Sequence, residues 1–274
     1  VRSPHAHARI GAIDASAALA IDGVVAVYTG ADLEGDWAGP LPCAWPVTDD
    51  MKNPAHLPLA VGKANFAGDA VAVVVATSRY AAADGVEGVV VDYEPLDFVL
   101  DPEEALRPGA VEIQPGGNLA TRGRGVREPE VYERGDLDAG FAASDVVLED
   151  AFTSKHINNA QLEPRVSVAR WDGDRLTVWT PTQGISNCQR DLARDLDLPA
   201  EDIRVVCEYM GGGFGNKNQC QDSDLIAAVL ARDTGRAVKL EYTRKEGFLG
   251  VHGPRARPGD AHFTFGCSGR LYTT

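Results

Sequence analysis

Residues 208–220 read EYMGGGFGNKNQC: three consecutive glycines, a phenylalanine, a fourth glycine and a lysine. One glycine is enough for a tight turn with positive φ, and each further one adds chain entropy that folding must remove. Gly211, Gly212, Gly213 and Gly215 together exceed what a turn needs. They point to a place where something comes closer to the backbone than a Cβ would allow. A plain turn stays open as the simpler reading.

A phosphate cradle is the familiar use of such a loop. It requires G-x-x-x-x-G-K-[ST], with the lysine on the phosphates and the hydroxyl on magnesium. Counted from Gly211, Asn216 stands at the second glycine, Lys217 fits, and Asn218 lacks the hydroxyl. A dinucleotide fingerprint from Gly211 also needs glycine at 216. A P-loop-like nucleotide binder over 211–217 is therefore an alternative that fails two of its four fixed positions.

The loop sits between an expected strand, Ile203–Cys207, and an expected helix from about Ser223 to Arg232. GRAVKLEYTR follows as the last strand. Upstream, RVSVARWDGDRLTVWT alternates apolar and polar residues on both sides of Asp-Gly, which predicts a hairpin, and Ser186–Leu196 reads as a helix. Residues 107–130 are rich in Gly, Pro, Arg and Glu with little apolar pattern, a linker signature. Before them the spacing predicts strands at Ala8–Ile13, Val24–Tyr28, Ala70–Ala76 and Val89–Tyr93. Helices are expected at Ser16–Ile21 and Arg79–Val86, and a helix opening at Asp101–Leu106 with Asp as cap and Pro first. The Val-rich runs suit strands buried on both faces, and Glu34–Pro58 reads as a polar, Pro-rich excursion. The fold class is α+β: 1–106, a linker over 107–130, then 131–274.

The chain has 274 residues, 44% hydrophobic and 24% charged, with net charge −14. That balance argues against nucleic acid or an anionic membrane as partner, since each needs a basic face. No apolar run reaches the ~18 residues of a spanning helix. Val1–His5 has no signal-peptide pattern, and the chain, opening on Val, reads as a piece or a processed product. Cys43, Cys188, Cys207, Cys220 and Cys267 form no C-x-x-C pair, so they read as free thiols of a cytoplasmic protein rather than metal ligands. His5 and His7 lack a third ligand, and His156 reads as a satisfied histidine.

The stretch YMGGGFGNK resembles the loop that lies against the pterin in large subunits of molybdenum hydroxylases, the xanthine dehydrogenase/aldehyde oxidase family. RSPHAHARI and GDAVAVVVATSRYAAADGVEGVVVDYEPL resemble its α/β-hammerhead domain. NNAQLEPRVSVARWDGDRLTVWTPTQ resembles the start of its molybdopterin-binding domain. The resemblance runs in order to about His252; 254–274 departs from it and looks like a shifted frame or truncated end.

The resemblance implies a hammerhead domain followed by the first part of a molybdopterin-binding domain, with molybdenum held by the pterin's sulfurs and not by side chains. The backbone of Gly212, Gly213, Phe214 and Gly215 would approach the cofactor, Phe214 would wall the pocket, and Gln183 would direct its amide at a molybdenum oxo group. Glu163-Pro164-Arg165 is a family landmark read as structural. Asn218 stands where some relatives carry a Glu that orients a purine-like substrate, a departure from the xanthine pattern. The family's glutamate base lies beyond residue 274, and neither Glu208 nor Glu241 takes its place. The implied activity is oxidation of an aldehyde or N-heterocyclic carbon with water as oxygen source, by a molybdopterin of cytosine dinucleotide form. Iron–sulfur clusters and FAD would sit on partner subunits. The 274 residues alone would be inactive, and a catalytically dead scaffold on the same fold is the rival reading.

Overall fold

The computed structural model describes residues 1–41, 55–118, 135–152, 158–250, 261–266 and 270–273. In chain order the elements are β1 (Ala8–Asp14), α1 (Ser16–Leu19), β2 (Val24–Thr29), β3 (Lys63–Ala64), β4 (Ala72–Ala76), α2 (Arg79–Gly88), β5 (Val90–Pro95) and α3 (Pro102–Ala105). After them come α4 (Leu137–Ala142), β6 (Val147–Phe152), β7 (Val166–Asp172), β8 (Arg175–Trp179), α5 (Ile185–Asp195) and β9 (Ile203–Val206). The series ends with α6 (Asp222–Thr234), β10 (Val238–Glu241), α7 (Arg244–Leu249), β11 (Ala261–Gly266) and β12 (Arg270–Thr273). The elements group into two compact units, Val1–Gly125 with Asn159–Gly253, and Val126–Asn158 with Pro254–Thr274.

Among the described residues, the larger unit has three sheets. β1 lies between β3 and β5, and β2 pairs with β4, all antiparallel. The third sheet has the order β10-β7-β8-β9, antiparallel except for the parallel β8/β9 pair. α5 supplies the crossover that a parallel pair requires. Local chemistry accounts for the ends of several helices: Ser78 caps α2 by accepting from Ala81 N–H, and Asp101 caps α3 with Pro102 in the first turn. Thr243 and Glu246 form a capping box on α7.

α6 is the centre of the core. Every residue from Asp222 to Ala231 is buried, the signature of a helix enclosed on all sides. It packs on β7, where Trp171 Nε1–H donates to the Ala228 carbonyl (2.8 Å) and Ser167 Oγ meets Ser223 Oγ (3.0 Å). Gly235, in the left-handed region at φ 62°, ends the helix.

Several expectations change. The Glu34–Pro58 excursion is not merely polar, because Trp37 and Leu41 within it are buried and, with the flanking Leu33 and Leu59, join α6, β7 and β8 in one core cluster. Residues 42–54 lie outside the described residues. β5 is not buried on both faces: exposed and half-buried positions alternate along it, and Val90 is 63% exposed. Valine runs report a preference for pleated backbone but not which face is covered. The 166–179 hairpin forms, although its two-residue turn is Gly173-Asp174, with Gly173 at φ 59° and Asp172 still paired to Arg175. His7 is buried with Nδ1 2.7 Å from the Asp97 carbonyl, and His5 sits edge-on to Tyr93. His156 lies outside the described residues.

The smaller unit contains α4 and an antiparallel sheet of order β12-β11-β6. GRAVKLEYTR is therefore not the last strand, since β11 and β12 follow it. β11 pairs along its whole length with β6, and that register lies more than a hundred residues away in sequence. No local turn signal announces such a pairing. Among the described residues, no helix is long and apolar enough to cross a membrane.

Candidate cofactor site

Because β8 and β9 are parallel neighbours, the segments that follow them leave from the same sheet edge. Residues 180–184 lead from β8 into α5, and 207–221 lead from β9 into α6. Ligands of α/β sheets collect at this C-terminal edge. An open groove of about 490 Å³ lies there, lined by 182–187 and 207–210.

The glycine loop is built as the sequence requires. Gly212 and Gly215 have φ of 91° and 89°, where a side chain is strained, and Phe214 adopts 51° despite its Cβ. Non-glycine residues held there cost roughly 1–3 kcal/mol and persist where the surroundings over-determine them. Here Asn159 Nδ2–H donates to the Phe214 carbonyl, and Asn216 N–H turns back to Gly213 O (2.9 Å). Gly211 and Gly213 are required for a different reason. A Cβ on Gly211 would lie 2.7 Å from Glu163 Cβ, and one on Gly213 would lie 2.4 Å from Gln183 Oε1.

Gln183 is exposed, but half of its amide is committed to the loop. Oε1 accepts from Gly215 N–H (2.9 Å) and Lys217 N–H (3.3 Å), while its backbone N–H donates to Lys217 O (2.7 Å). Nε2 has no partner among the described residues. The backbone N–H groups of Gly212, Gly213 and Phe214 likewise meet no acceptor there. Phe214 is 71% exposed, with its ring edge over Gly212; Tyr209 and Leu162 are also exposed. The structure thus brings Gln183 and the glycine loop together.

Lys217 is where the phosphate reading fails. Its side chain is buried and Nζ donates to Glu163 Oε2 (2.6 Å) and to the Glu163 carbonyl (3.3 Å), so it does not reach outward. Sequence reasoning missed Asn159, Gln161 and Glu163 as loop supports. Gln161 is buried beside Gly212 with Oε1 lacking a partner among the described residues, and Asn216 Oδ1 is buried in the same condition. The available signal was their place in NNAQLEP, which gives no hint of a partner some fifty residues on.

Tertiary packing also gathers Cys188, Cys220 and Asp224, whose ligand atoms all lie within 4.8 Å of one another. Asp224 accepts from Ser167 Oγ (2.6 Å) and Gln221 N–H (3.0 Å), and the buried Arg165 guanidinium is a neighbouring cation. Burial pushes the Cys220 thiol well up. Asp224 thus has those two donors, while the Arg165 guanidinium is near it without an ion pair and keeps Nε and Nη2 buried with no partner among the described residues. Cys43 and Cys267 lie outside the described residues.

Comparison with known proteins matches residues 1–97 to the aldehyde oxidase and xanthine dehydrogenase a/b hammerhead domain, and 122–272 to the molybdopterin cofactor-binding domain. The chain belongs to the xanthine dehydrogenase/aldehyde oxidase family of molybdenum hydroxylases. Among its relatives, the carbon monoxide dehydrogenase large chain of Afipia carboxidovorans is 36% identical over 256 residues, covering 90% of this chain and 31% of the relative. The gamma subunit of the 6-hydroxypseudooxynicotine dehydrogenase complex of Paenarthrobacter nicotinovorans is 34% identical over 251 residues, covering 90% of this chain and 30% of the relative. The crystal structure of quinoline 2-oxidoreductase from Pseudomonas putida 86 superposes with a TM-score of 0.84 at 32% identity, covering 99% of this chain and 34% of that one. The chain thus spans about a third of the length of the relatives it matches. The cofactor-domain match runs through β11 and β12, so family likeness continues past residue 254, where the sequence reading placed a departure from it.

The residues present fit a pterin-bound metal. No Cys/His ligand set faces the groove among the described residues, and none is needed if the metal's ligands belong to the pterin. Backbone N–H donors and an amide nitrogen that have no partner among the described residues are what an anionic, hydrogen-bonding cofactor requires.

Proposed function

We propose that this chain is part of the large, cofactor-binding subunit of a molybdenum-dependent oxidoreductase that oxidises an aldehyde or N-heterocyclic carbon with water as the oxygen source. The observation that carries the reading is the joint construction of the loop and Gln183: the amide oxygen fixes Gly215 and Lys217, while the amide nitrogen has no partner among the described residues.

The cofactor is molybdenum–molybdopterin, in the cytosine dinucleotide form, and when bound it supplies the two-electron oxidation of the substrate carbon. The backbone of Gly212, Gly213, Phe214 and Gly215 would hold it, with Gln183 Nε2–H as a side-chain donor. Phe214 would shield one side of the pocket, where excluding water strengthens each of these hydrogen bonds. No general base is assigned within these 274 residues, and Glu208, exposed at the groove, is not given that role.

Partner subunits would carry the iron–sulfur clusters and FAD, in a cytoplasmic complex. The domain reading is hammerhead over 1–106, linker over 107–130 and cofactor domain from 131. Elemental mass spectrometry on the subunit purified with its partners tests the proposal. Near-stoichiometric molybdenum is expected; a complex that contains the intact subunit but no molybdenum overturns it.

A further inference from the structure

We propose that Glu163 and Lys217 are positioning residues that set the glycine loop in register with Gln183. The inference rests on the cofactor reading above and names side chains that do not themselves touch the cofactor.

One carboxylate oxygen, Glu163 Oε2, receives both Gly211 N–H (2.8 Å) and Lys217 Nζ (2.6 Å), the first and last residues of the loop. Lys217 carries the restraint onward through its backbone. Its carbonyl accepts from Gln183 N–H (2.7 Å) and Thr182 Oγ1 (3.1 Å), and its N–H donates to Gln183 Oε1 (3.3 Å). A segment with four glycines has a large conformational freedom to lose. Pinning its two ends to one atom, and the second end to Gln183, leaves the N–H groups of Gly212, Gly213 and Phe214 in a fixed place.

Stability alone does not explain the pair. Lys217 is removed from water, and an apolar pair of similar volume often does as well as a buried ion pair. An apolar pair cannot, however, accept from Gly211 N–H. The ionic arrangement therefore serves position.

The partners are unequal. The Glu163 side chain is 29% exposed and can turn to solvent, whereas that of Lys217 is fully enclosed and cannot. Glu163→Gln therefore leaves an uncompensated buried cation and destabilises more than Lys217→Met. The double variant Glu163→Met/Lys217→Met removes both charges and the acceptor.

The test uses the full-length subunit in its assembled complex and reads melting temperature, amide exchange over 211–217 and molybdenum content. The double variant is expected to melt above Glu163→Gln, while its loop amides still exchange faster. Its molybdenum content falls roughly tenfold, the usual consequence of losing groups that orient a metal site's contacts. If loop protection and molybdenum recover together with melting temperature, the pair is a stability feature and the proposal is overturned. Unchanged exchange in all variants overturns it too. If the loop loosens in the variants but the wild type holds no molybdenum, the cofactor reading fails and the clamp stands.

Discussion

Replacing Gly213 by alanine tests whether the loop is built around Gln183. The new methyl would stand 2.4 Å from Gln183 Oε1 and 2.6 Å from Cδ, closer than real contacts allow. φ at Gly213 is not positive, so backbone strain does not contribute. The end of the glutamine must retreat by about 1 Å to reach ordinary van der Waals separation. Its bonds from Gly215 N–H (2.9 Å) and Lys217 N–H (3.3 Å) do not survive that movement. At about 1 kcal/mol for each hydrogen bond, the loop loses about 2 kcal/mol of local restraint. Every ~1.4 kcal/mol is tenfold, so Gly215 and Lys217 amides should exchange about thirtyfold faster in the full-length subunit. Gly35→Ala is the control, since its methyl meets nothing within 4 Å. If Gly213→Ala leaves exchange within about threefold of wild type, less than the loss of a single such bond would produce, Gln183 does not restrain the loop.

Gly68→Ala should be among the more damaging glycine changes: φ is 101° and the Cβ would lie 2.6 Å from the Leu249 carbonyl, so about 1–3 kcal/mol of strain adds to a backbone clash. A clear fall in melting temperature of the full-length subunit checks it. Glu246→Gln should flatten the acid limb of stability. Burial by itself raises this carboxyl, but Thr243 N–H and the Arg2 guanidinium outweigh burial and hold it below its ordinary value of 4.5. A folded value below the unfolded one gives stability that is present above the unfolded value and lost as pH falls through the folded one. Melting temperatures measured downward from pH 4.5 should thus fall less steeply in the variant, and identical slopes would contradict the assignment. ATP titration of wild type and Lys217→Ala should show no saturable binding in either, because Nζ is already taken by Glu163; binding lost only in the variant would restore the phosphate reading.

Much of the local architecture was legible in the sequence, and for stated reasons. Period-two alternation gave the 166–179 hairpin, Asp101-Pro102 gave a capped helix start, and the apolar run of 223–232 gave α6. The four glycines of 211–215 announced close backbone approach, and the structure shows two of the intruding side chains, Glu163 and Gln183. Each of these signals is carried by neighbours within one turn or one strand.

The tertiary structure alone decided what depends on distant partners. Lys217 looked like a phosphate lysine until folding set Glu163, 54 residues earlier, against it. The Cys188–Cys220–Asp224 group has no sequence spacing to announce it, and the pairing of β6 with β11 is equally non-local. Trp37 and Leu41 sat in a stretch that looked polar, yet they join the core around α6. Periodicity records which way a side chain faces along its own element. It does not record what stands opposite, because that is fixed only when chain reversal and close packing select one partner from many.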